Sequence, residues 1–237
     1  MTKRMREASP RLKARLAGVA YLMNFAFAPG MIALSRFVIP GNAAATAANI
    51  LAHEPLFRLG FAGNLIAIAG YIIVTALFYE LFKPVRTTIS FLAALFSLVG
   101  CVVLAISCLF YLAPFITLDR APYLTAFTPE QLQALTLMFL KLYSQTFTNS
   151  FIFFGFYQLS IGYLIFRSNF MPPILGVGLA LGGLVGLTFL LPPLARYLFP
   201  YILILDLGEG VLVIWLLIFG VNSDRWKQQA RAAGEVR

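Results

Sequence analysis

The sequence predicts an all-α fold: a polytopic bundle of six transmembrane helices with both termini cytoplasmic and short helices on the outer face. Of its 237 residues, 60% are hydrophobic and 11% are charged, and the mean hydropathy is +0.86. A soluble domain carries about 25% charged residues, so this composition argues against a soluble or disordered chain. Six apolar stretches reach the length of about 20 residues that a membrane crossing requires. Basic residues crowd both ends of the chain, which favours one side of the membrane for both termini.

The predicted spans begin or end at residues that interrupt a helix or avoid lipid. Pro29 and Gly30 predict a kink inside the first span. Later spans end at Lys83-Pro84, at Arg167 and at Pro192-Pro193. In chain order, we expect spans over about Leu16–Phe37, Phe57–Phe82, Ile89–Phe115, Ser144–Phe166, Pro173–Leu191 and Phe199–Val221.

The distribution of charge predicts the orientation and the domains. The net charge is +9, and 13 of the 18 Lys and Arg residues lie in the segments that a cytoplasmic N-terminus would put inside. These segments are 1–15, 83–88, 167–172 and 222–237. Because the cations flank apolar runs, we expect membrane lipids rather than nucleic acid as partners. The domains are therefore a basic segment 1–15, a transmembrane domain 16–221 and a basic tail 222–237.

Two segments outside the spans predict helices on the outer face. Asn42 is a good cap for an Ala-rich helix that continues to Ala52. The run Thr128–Gln131 combines a capping hydroxyl, Pro at the first helical position and Gln three residues after the Thr. A helix unbroken from there to Phe166 would be about 57 Å long, so it either projects outward or bends near Tyr143. Together, segments 42–54 and 129–142 predict a cap over the bundle.

Small residues predict close helix packing in the fifth span. Gly178, Gly182 and Gly186 recur every four residues, which lets two helix backbones approach closely. The third span carries a similar stripe, and the two stripes are candidates for contact. We interpret the glycines as packing within the bundle, with oligomerisation through them as the less favoured alternative.

The residues that could carry chemistry are the few polar groups inside the spans. Glu209 and Asp206 are three residues apart on one face of the sixth span, and Glu209 is expected about 15 Å deep. A buried carboxyl is costly unless it is protonated or paired, and Arg58 and Lys141 are candidate partners. Further polar residues of the expected outer half are Asn24, Asn64, Tyr143, Gln145 and Asn149. They predict a ligand pocket or, equally, a hydrogen-bond network that fixes helix order.

Other chemistry finds little support in the sequence. His53 is the one histidine, and no Cys, His or carboxylate spacing indicates a metal, so neither metal nor cofactor is expected. Cys101 and Cys108 lie seven residues apart in one span, about 10 Å along a helix, which is too far for a disulfide. Glu80 is interpreted as an interfacial ion pair with Lys83.

Several short motifs resemble a known family when they are read in order along the chain. They are LFRLG at 56–60, YELFKPV at 79–85, EQLQAL at 130–135, GYLIFRS at 162–168, ILGV at 174–177, GEG at 208–210 and WLL at 215–217. The pattern resembles the bacterial membrane-protein family catalogued as domain of unknown function four-three-eight-six, over about residues 12–222. The resemblance implies a six- or seven-span protein of the bacterial inner membrane and transfers no activity. Tyr143 stands where many members have His, and Asn64 where some have Asp.

Three functional hypotheses follow. The first is a protein that binds a small lipophilic or amphiphilic ligand, with Glu209 and Arg58 orienting its polar end and Asn64, Tyr143, Gln145 and Asn149 completing the site. The second is a membrane-embedded lyase or isomerase, such as an isoprenoid (terpene) cyclase, with Glu209 or Asp206 as the acid. The third is an ion-coupled transporter, which the lack of internal repeats disfavours. Whether the protein is an enzyme stays open at this stage.

Overall fold

The computed structural model describes residues 9–119, 121–198 and 207–234, and within them the backbone is helical, with no strand. The α-helices are α1 (Pro10–Leu22), α2 (Ala28–Phe37), α3 (Ala43–Ala52), α4 (Glu54–Phe82), α5 (Thr87–Thr117), α6 (Pro129–Arg167), α7 (Pro173–Leu187), α8 (Pro192–Leu198), α9 (Leu207–Ile218) and α10 (Ser223–Ala232). Three 3₁₀ helices connect some of them: Met23–Phe27, Pro122–Ala126 and Thr188–Leu190.

Four of the described helices are long and apolar enough to cross a membrane: α4, α5, α6, and α7 with its 3₁₀ extension to Leu190. They correspond to the second to fifth predicted spans. The pair α9 and α10 would count as a fifth crossing only if a bend of 103° lay within one span. The positive φ of Gly220, +67°, lies within this bend and is readily adopted by glycine. The described residues therefore contain four or five candidate spans by length and composition. The sixth predicted span, 199–221, lies partly outside the described residues.

The first predicted span contains a break, although not at the predicted position. The helix changes to 3₁₀ geometry over Met23–Phe27, before Pro29, and α2 then starts at Ala28. Proline lacks a backbone N–H, but the first turn of a helix has no intrahelical use for that group. Pro29 therefore lies at the beginning of a new helix instead of kinking the interior of one.

The two helices predicted outside the spans form where the capping residues predict them. The Asn42 side chain accepts from the Ala45 amide at 2.9 Å and starts α3. Thr128 and Gln131 form the reciprocal capping box at the start of α6. From there α6 runs as one helix through Tyr143 to Arg167, so the predicted outer helix and fourth span are a single element.

The residues form two compact units. The first unit comprises Met1–Leu22, Gly70–Cys101 and Ser150–Arg237, and the second unit comprises Met23–Ala69 and Val102–Asn149. The second unit has an aromatic-rich core in which α3 and the N-terminal part of α6 share neighbours, because Ile50 and Leu140 both belong to it. The other buried members of this core are Phe37, Phe57, Tyr111 and Tyr143.

In the first unit, glycines bring helix backbones together. A Cβ placed on Gly162 would lie 2.6 Å from the Gly176 carbonyl oxygen, so α6 and α7 can approach this closely only with glycine there. Gly178 meets Gly208 of α9 in the same way. The glycine stripe of the fifth span therefore has partners on α6 and α9 within the chain, whereas the sequence suggested small residues of the third span.

One end of the first unit collects the segments 9–15, 80–86, 167–172 and 219–232, which we call the basic end. Arg11 packs on Gly220, and the Trp226 indole donates to the Leu81 carbonyl at 2.8 Å. The Asn222 amide donates to the Phe170 carbonyl at 3.1 Å. These segments carry nine Lys and Arg residues and two carboxylates. They overlap the four stretches that the charge distribution predicts on one side of the membrane, and 80–82 and 219–221 are the adjoining ends of predicted spans.

Candidate functional site

Glu209 lies in the first turn of α9 and faces neighbouring helices of the first unit. Its side chain is partly buried. The Tyr71 hydroxyl of α4 donates to Oε1 of Glu209 over 3.5 Å, which is a long hydrogen bond. The carboxyl is therefore partly shielded from solvent and has a polar partner on another helix.

A pair of buried tyrosines lies near this carboxyl. The hydroxyl oxygens of Tyr21 in α1 and Tyr157 in α6 are 3.2 Å apart, and both side chains are 1% exposed. Glu209 is close enough to interact electrostatically with both phenols. The Tyr21 ring meets the edge of Tyr71, with centroids 6.1 Å apart. Four helices thus contribute to what we call the carboxyl–tyrosine cluster: Glu209, Tyr71, Tyr21 and Tyr157.

Glycines on either side of Glu209 have different roles. A Cβ at Gly208 would collide with the backbone of Gly178, so this glycine fixes α9 against α7. A Cβ at Gly210 would have no heavy atom within 4 Å. Open space is therefore left beside Gly210 and not beside Gly208.

The cluster combines an acceptor with donors and aromatic faces. A carboxylate accepts hydrogen bonds from hydroxyl or ammonium groups, and aromatic faces attract cations and pack against apolar groups. The Phe154 ring extends the aromatic wall by stacking on Tyr71 at 4.4 Å. Among the described residues, no group of three or more His, Cys, Asp and Glu side chains could hold a metal ion.

The second unit pairs two of the predicted site residues directly. The Asn64 amide donates to the Tyr143 hydroxyl at 3.2 Å, and their side chains are 2% and 3% exposed. The Tyr111 hydroxyl nearby donates to the Phe57 carbonyl at 3.0 Å. These bonds link α4, α5 and α6 and are those expected of a hydrogen-bond network that fixes helix order.

The remaining predicted residues have other surroundings. Gln145 and Asn149 are exposed on α6 and bond each other at 3.3 Å. Arg58 forms an ion pair with Glu54 at 2.7 Å and lies 4.3 Å from the centre of the Phe115 ring. Arg58, Glu54 and Phe115 line a cavity of about 250 Å³ in the second unit. Asp206 falls outside the described residues.

Asn24 is the least satisfied polar side chain of the second unit's described part. It lies in the 3₁₀ segment that interrupts the first predicted span and is 6% exposed. Neither its amide nitrogen nor its amide oxygen has a hydrogen-bond partner there. A buried polar group in this condition costs about 1–3 kcal/mol.

Sequence reasoning missed most members of the carboxyl–tyrosine cluster. It named Tyr143 as a candidate site residue but did not consider Tyr21, Tyr71 and Tyr157, which fall inside predicted spans. A hydroxyl away from the interfaces usually finds a polar partner, and that signal was available. Glu80 forms an ion pair with Lys13 at 3.4 Å. Lys13 is far from Glu80 in sequence, so the i,i+3 spacing that pointed to Lys83 could not identify it.

The long apolar helices and the polar cluster between them define a multi-pass helical membrane protein with a carboxyl group among its helices. A family model described as "Domain of unknown function (DUF4386)" matches residues 16–220, and the chain belongs to this family. No curated protein and no solved structure matches the chain.

Proposed function

We propose that the protein is a bacterial inner-membrane protein that binds the polar end of a small amphiphile at the carboxyl–tyrosine cluster. The observation that carries this proposal is Glu209, a partly buried carboxyl that accepts from the Tyr71 hydroxyl and lies within electrostatic range of the buried Tyr21–Tyr157 pair. An ionisable group within a membrane is energetically costly, and such groups are typically found where they bind a ligand or an ion or transfer a proton. The aromatic walls suit an apolar body, and the carboxyl suits a hydroxyl-bearing or cationic end.

We also propose six crossings with both termini in the cytoplasm. The stretch Pro10–Phe37 supports the first crossing, since its 28 residues are helical and exceed the roughly 20 that a crossing requires. The apolar sequence 199–221 supports the last. Contacts among 9–15, 80–86, 167–172 and 219–232 support one common side for these segments, and their excess of cations supports the cytoplasm.

The experiment is to purify the full chain from native membranes and to quantify the small molecules that it carries by native mass spectrometry. Glu209→Gln keeps the size of the side chain and removes its charge. We expect it to reduce the occupancy of a specific ligand about tenfold, the effect of losing one charge-assisted hydrogen bond. Tyr71→Phe, which removes only the hydroxyl, is expected to have a smaller effect in the same direction.

The matched control is Glu54→Gln, the same chemical change at an exposed carboxyl of the second unit. It should carry as much ligand as the unaltered protein. Equal occupancy in the unaltered protein and in a folded Glu209→Gln variant would refute the proposal. The elution volume in gel filtration and the melting temperature identify a variant that has lost its fold.

A second function, a membrane-embedded lyase or isomerase, is favoured by the rings around the carboxyl. Tyr21 contacts both Tyr71 and Phe78 edge-on, and aromatic faces stabilise cationic intermediates such as those of an isoprenoid cyclase. Glu209 would act as the acid. Membranes incubated with polyprenyl substrates should then form a product with the unaltered protein and lose it with Glu209→Gln. The absence of product with the unaltered protein would count against this function.

A further inference from the structure

A cavity at the basic end of the first unit has the chemistry of a phosphate site. Its volume is about 420 Å³, and its lining consists of Ser168, Asn169, Met171, Pro173, Arg225 and Gln228. Arg225 contributes a permanent cation, Asn169 and Gln228 contribute amide groups, and none of these lining residues is acidic. A guanidinium beside neutral hydrogen-bond donors suits the anionic oxygens of a phosphate better than it suits a neutral ligand.

Helix α10 is held in a defined position beside this cavity. The Trp226 indole donates to the Leu81 carbonyl, and the Gln229 side chain accepts from the backbone N–H of Asn169 at 3.1 Å. Arg225 uses Nη1 for a bond of 3.4 Å to the Asn169 carbonyl. A guanidinium has five N–H donors in a planar fork, so one long bond leaves most of the fork for a ligand.

The surroundings favour a phosphate that is attached to a lipid. The basic end carries nine Lys and Arg residues against two carboxylates, and one of these, Glu80, is paired with Lys13. Apolar side chains flank the turn that lines the cavity: Phe166 is 55% exposed and Ile174 is 71% exposed. Two tryptophans, Trp215 and Trp226, lie at this end with their indole N–H groups bonded to carbonyls. Such an arrangement is expected where a protein surface meets lipid headgroups.

We propose that this cavity binds the phosphate headgroup of an anionic phospholipid, with Arg225 donating to the phosphate oxygens and the acyl chains running past Phe166 and Ile174. The site is separate from the carboxyl–tyrosine cluster and does not depend on the function proposed for that cluster. Specific donors at this site would add to the general electrostatic attraction between the basic end and an anionic membrane.

The test is a titration of the purified full chain with short-chain phosphatidylglycerol, followed by the melting temperature. Phosphatidylcholine and sodium phosphate form two further arms, which test for charge selectivity and for free phosphate. We expect phosphatidylglycerol alone to raise the melting temperature at low concentration. Arg225→Gln should weaken its apparent affinity about tenfold.

Lys227→Gln is the matched control, because it removes one charge from the same helix at an exposed position that does not line the cavity. It should change the affinity less than about twofold. Gln228→Glu is a second test that leaves the Arg225 bond to Asn169 in place, and it should also weaken phosphatidylglycerol binding. The proposal is overturned if Lys227→Gln matches Arg225→Gln, if Gln228→Glu binds normally, or if phosphatidylcholine or sodium phosphate equals phosphatidylglycerol.

Discussion

Two ion pairs, one in each unit, show how differently the two regions treat charge. Lys13 and Glu80 of the first unit are 3.4 Å apart, with side chains only 7% and 18% exposed. Arg58 and Glu54 of the second unit are closer, at 2.7 Å, but are 61% and 43% exposed. Solvent screens the second pair and weakens it, whereas removing one partner of the first would leave a charge with little water. Burial, rather than distance, therefore decides which ion pair contributes more to the stability of the fold.

The same difference extends to the neutral polar groups. The second unit's buried pairs are matched donors and acceptors, such as Asn64 with Tyr143 and, at 2.7 Å, Thr117 with Thr136. The first unit contains a carboxyl, Glu209, among phenols. Matched neutral pairs are sufficient to order helices, while an ionisable group within a span is the expected mark of function. The comparison assigns structural roles to most of the second unit's buried polar groups and directs the functional experiments to the first unit.

The largest expected effect is that of Lys13→Met. It leaves the Glu80 carboxylate without its cation in a mostly buried position, and we expect a loss of about 3 kcal/mol in the free energy of unfolding. The double variant Lys13→Met with Glu80→Leu should recover most of this loss, since no uncompensated charge remains. Chemical unfolding in detergent measures both. A loss below about 1 kcal/mol for the single variant would remove the distinction between the two ion pairs.

Gly208→Ala tests the packing that holds Glu209 in the first unit. Its Cβ would collide with the Gly178 backbone, and forcing the helices apart should cost about 2–3 kcal/mol. Gly210→Ala, two residues away with open space, should be neutral or slightly stabilising because alanine favours a helix. Melting temperatures compare the two variants. If they are equally stable, the close contact of α7 and α9 does not position the cluster.

Asn64→Leu tests whether the second unit's matched pairs are structural. The variant removes the donor to the buried Tyr143 hydroxyl, and we expect a cost of about 2 kcal/mol. Ligand occupancy per folded molecule should stay unchanged, unlike the result expected for Glu209→Gln. A loss of ligand in folded Asn64→Leu protein would show that the second unit contributes to the binding site.

The parts that the sequence predicted well depend on local chemistry. Asn42 caps α3 and Thr128 with Gln131 caps α6 because each contact joins residues three apart in sequence. The apolar lengths of α4 and α5 are equally local properties. Such features depend little on which helices become neighbours.

The parts that were missed depend on which helices meet. Glu80 pairs with Lys13, 67 positions away, whereas a reading along one helix points to Lys83. Tyr21 and Tyr157 are 136 positions apart. Apolar helices can be arranged in many orders, and a single sequence contains no direct signal for the order. Glu209 could therefore be recognised as costly from the sequence, but its phenolic neighbours could not.

Asn24→Leu should act in the opposite direction to Asn64→Leu. Both asparagines are buried in the second unit. The Asn64 amide donates to the Tyr143 hydroxyl, whereas the Asn24 amide has no hydrogen-bond partner among the described residues. Removing an unsatisfied amide recovers its desolvation cost, so we expect a gain of about 1 kcal/mol in stability. Thermal unfolding of the two leucine variants side by side gives the comparison. A loss of stability in Asn24→Leu would mean that the Asn24 amide has a partner, such as a buried water or a ligand.

The smallest expected effect is that of Arg58→Met, the counterpart of Lys13→Met in the second unit. The arginine is largely exposed, its ion pair with Glu54 is screened, and its methylene groups can be replaced by those of methionine. The contact of the guanidinium with the Phe115 ring adds little at an exposed site. We therefore expect a change below about 1 kcal/mol in the free energy of unfolding, measured under the conditions used for Lys13→Met. If Arg58→Met costs as much as Lys13→Met, exposure in the isolated chain does not describe the surroundings of Arg58, and its shorter ion pair would be the stronger one.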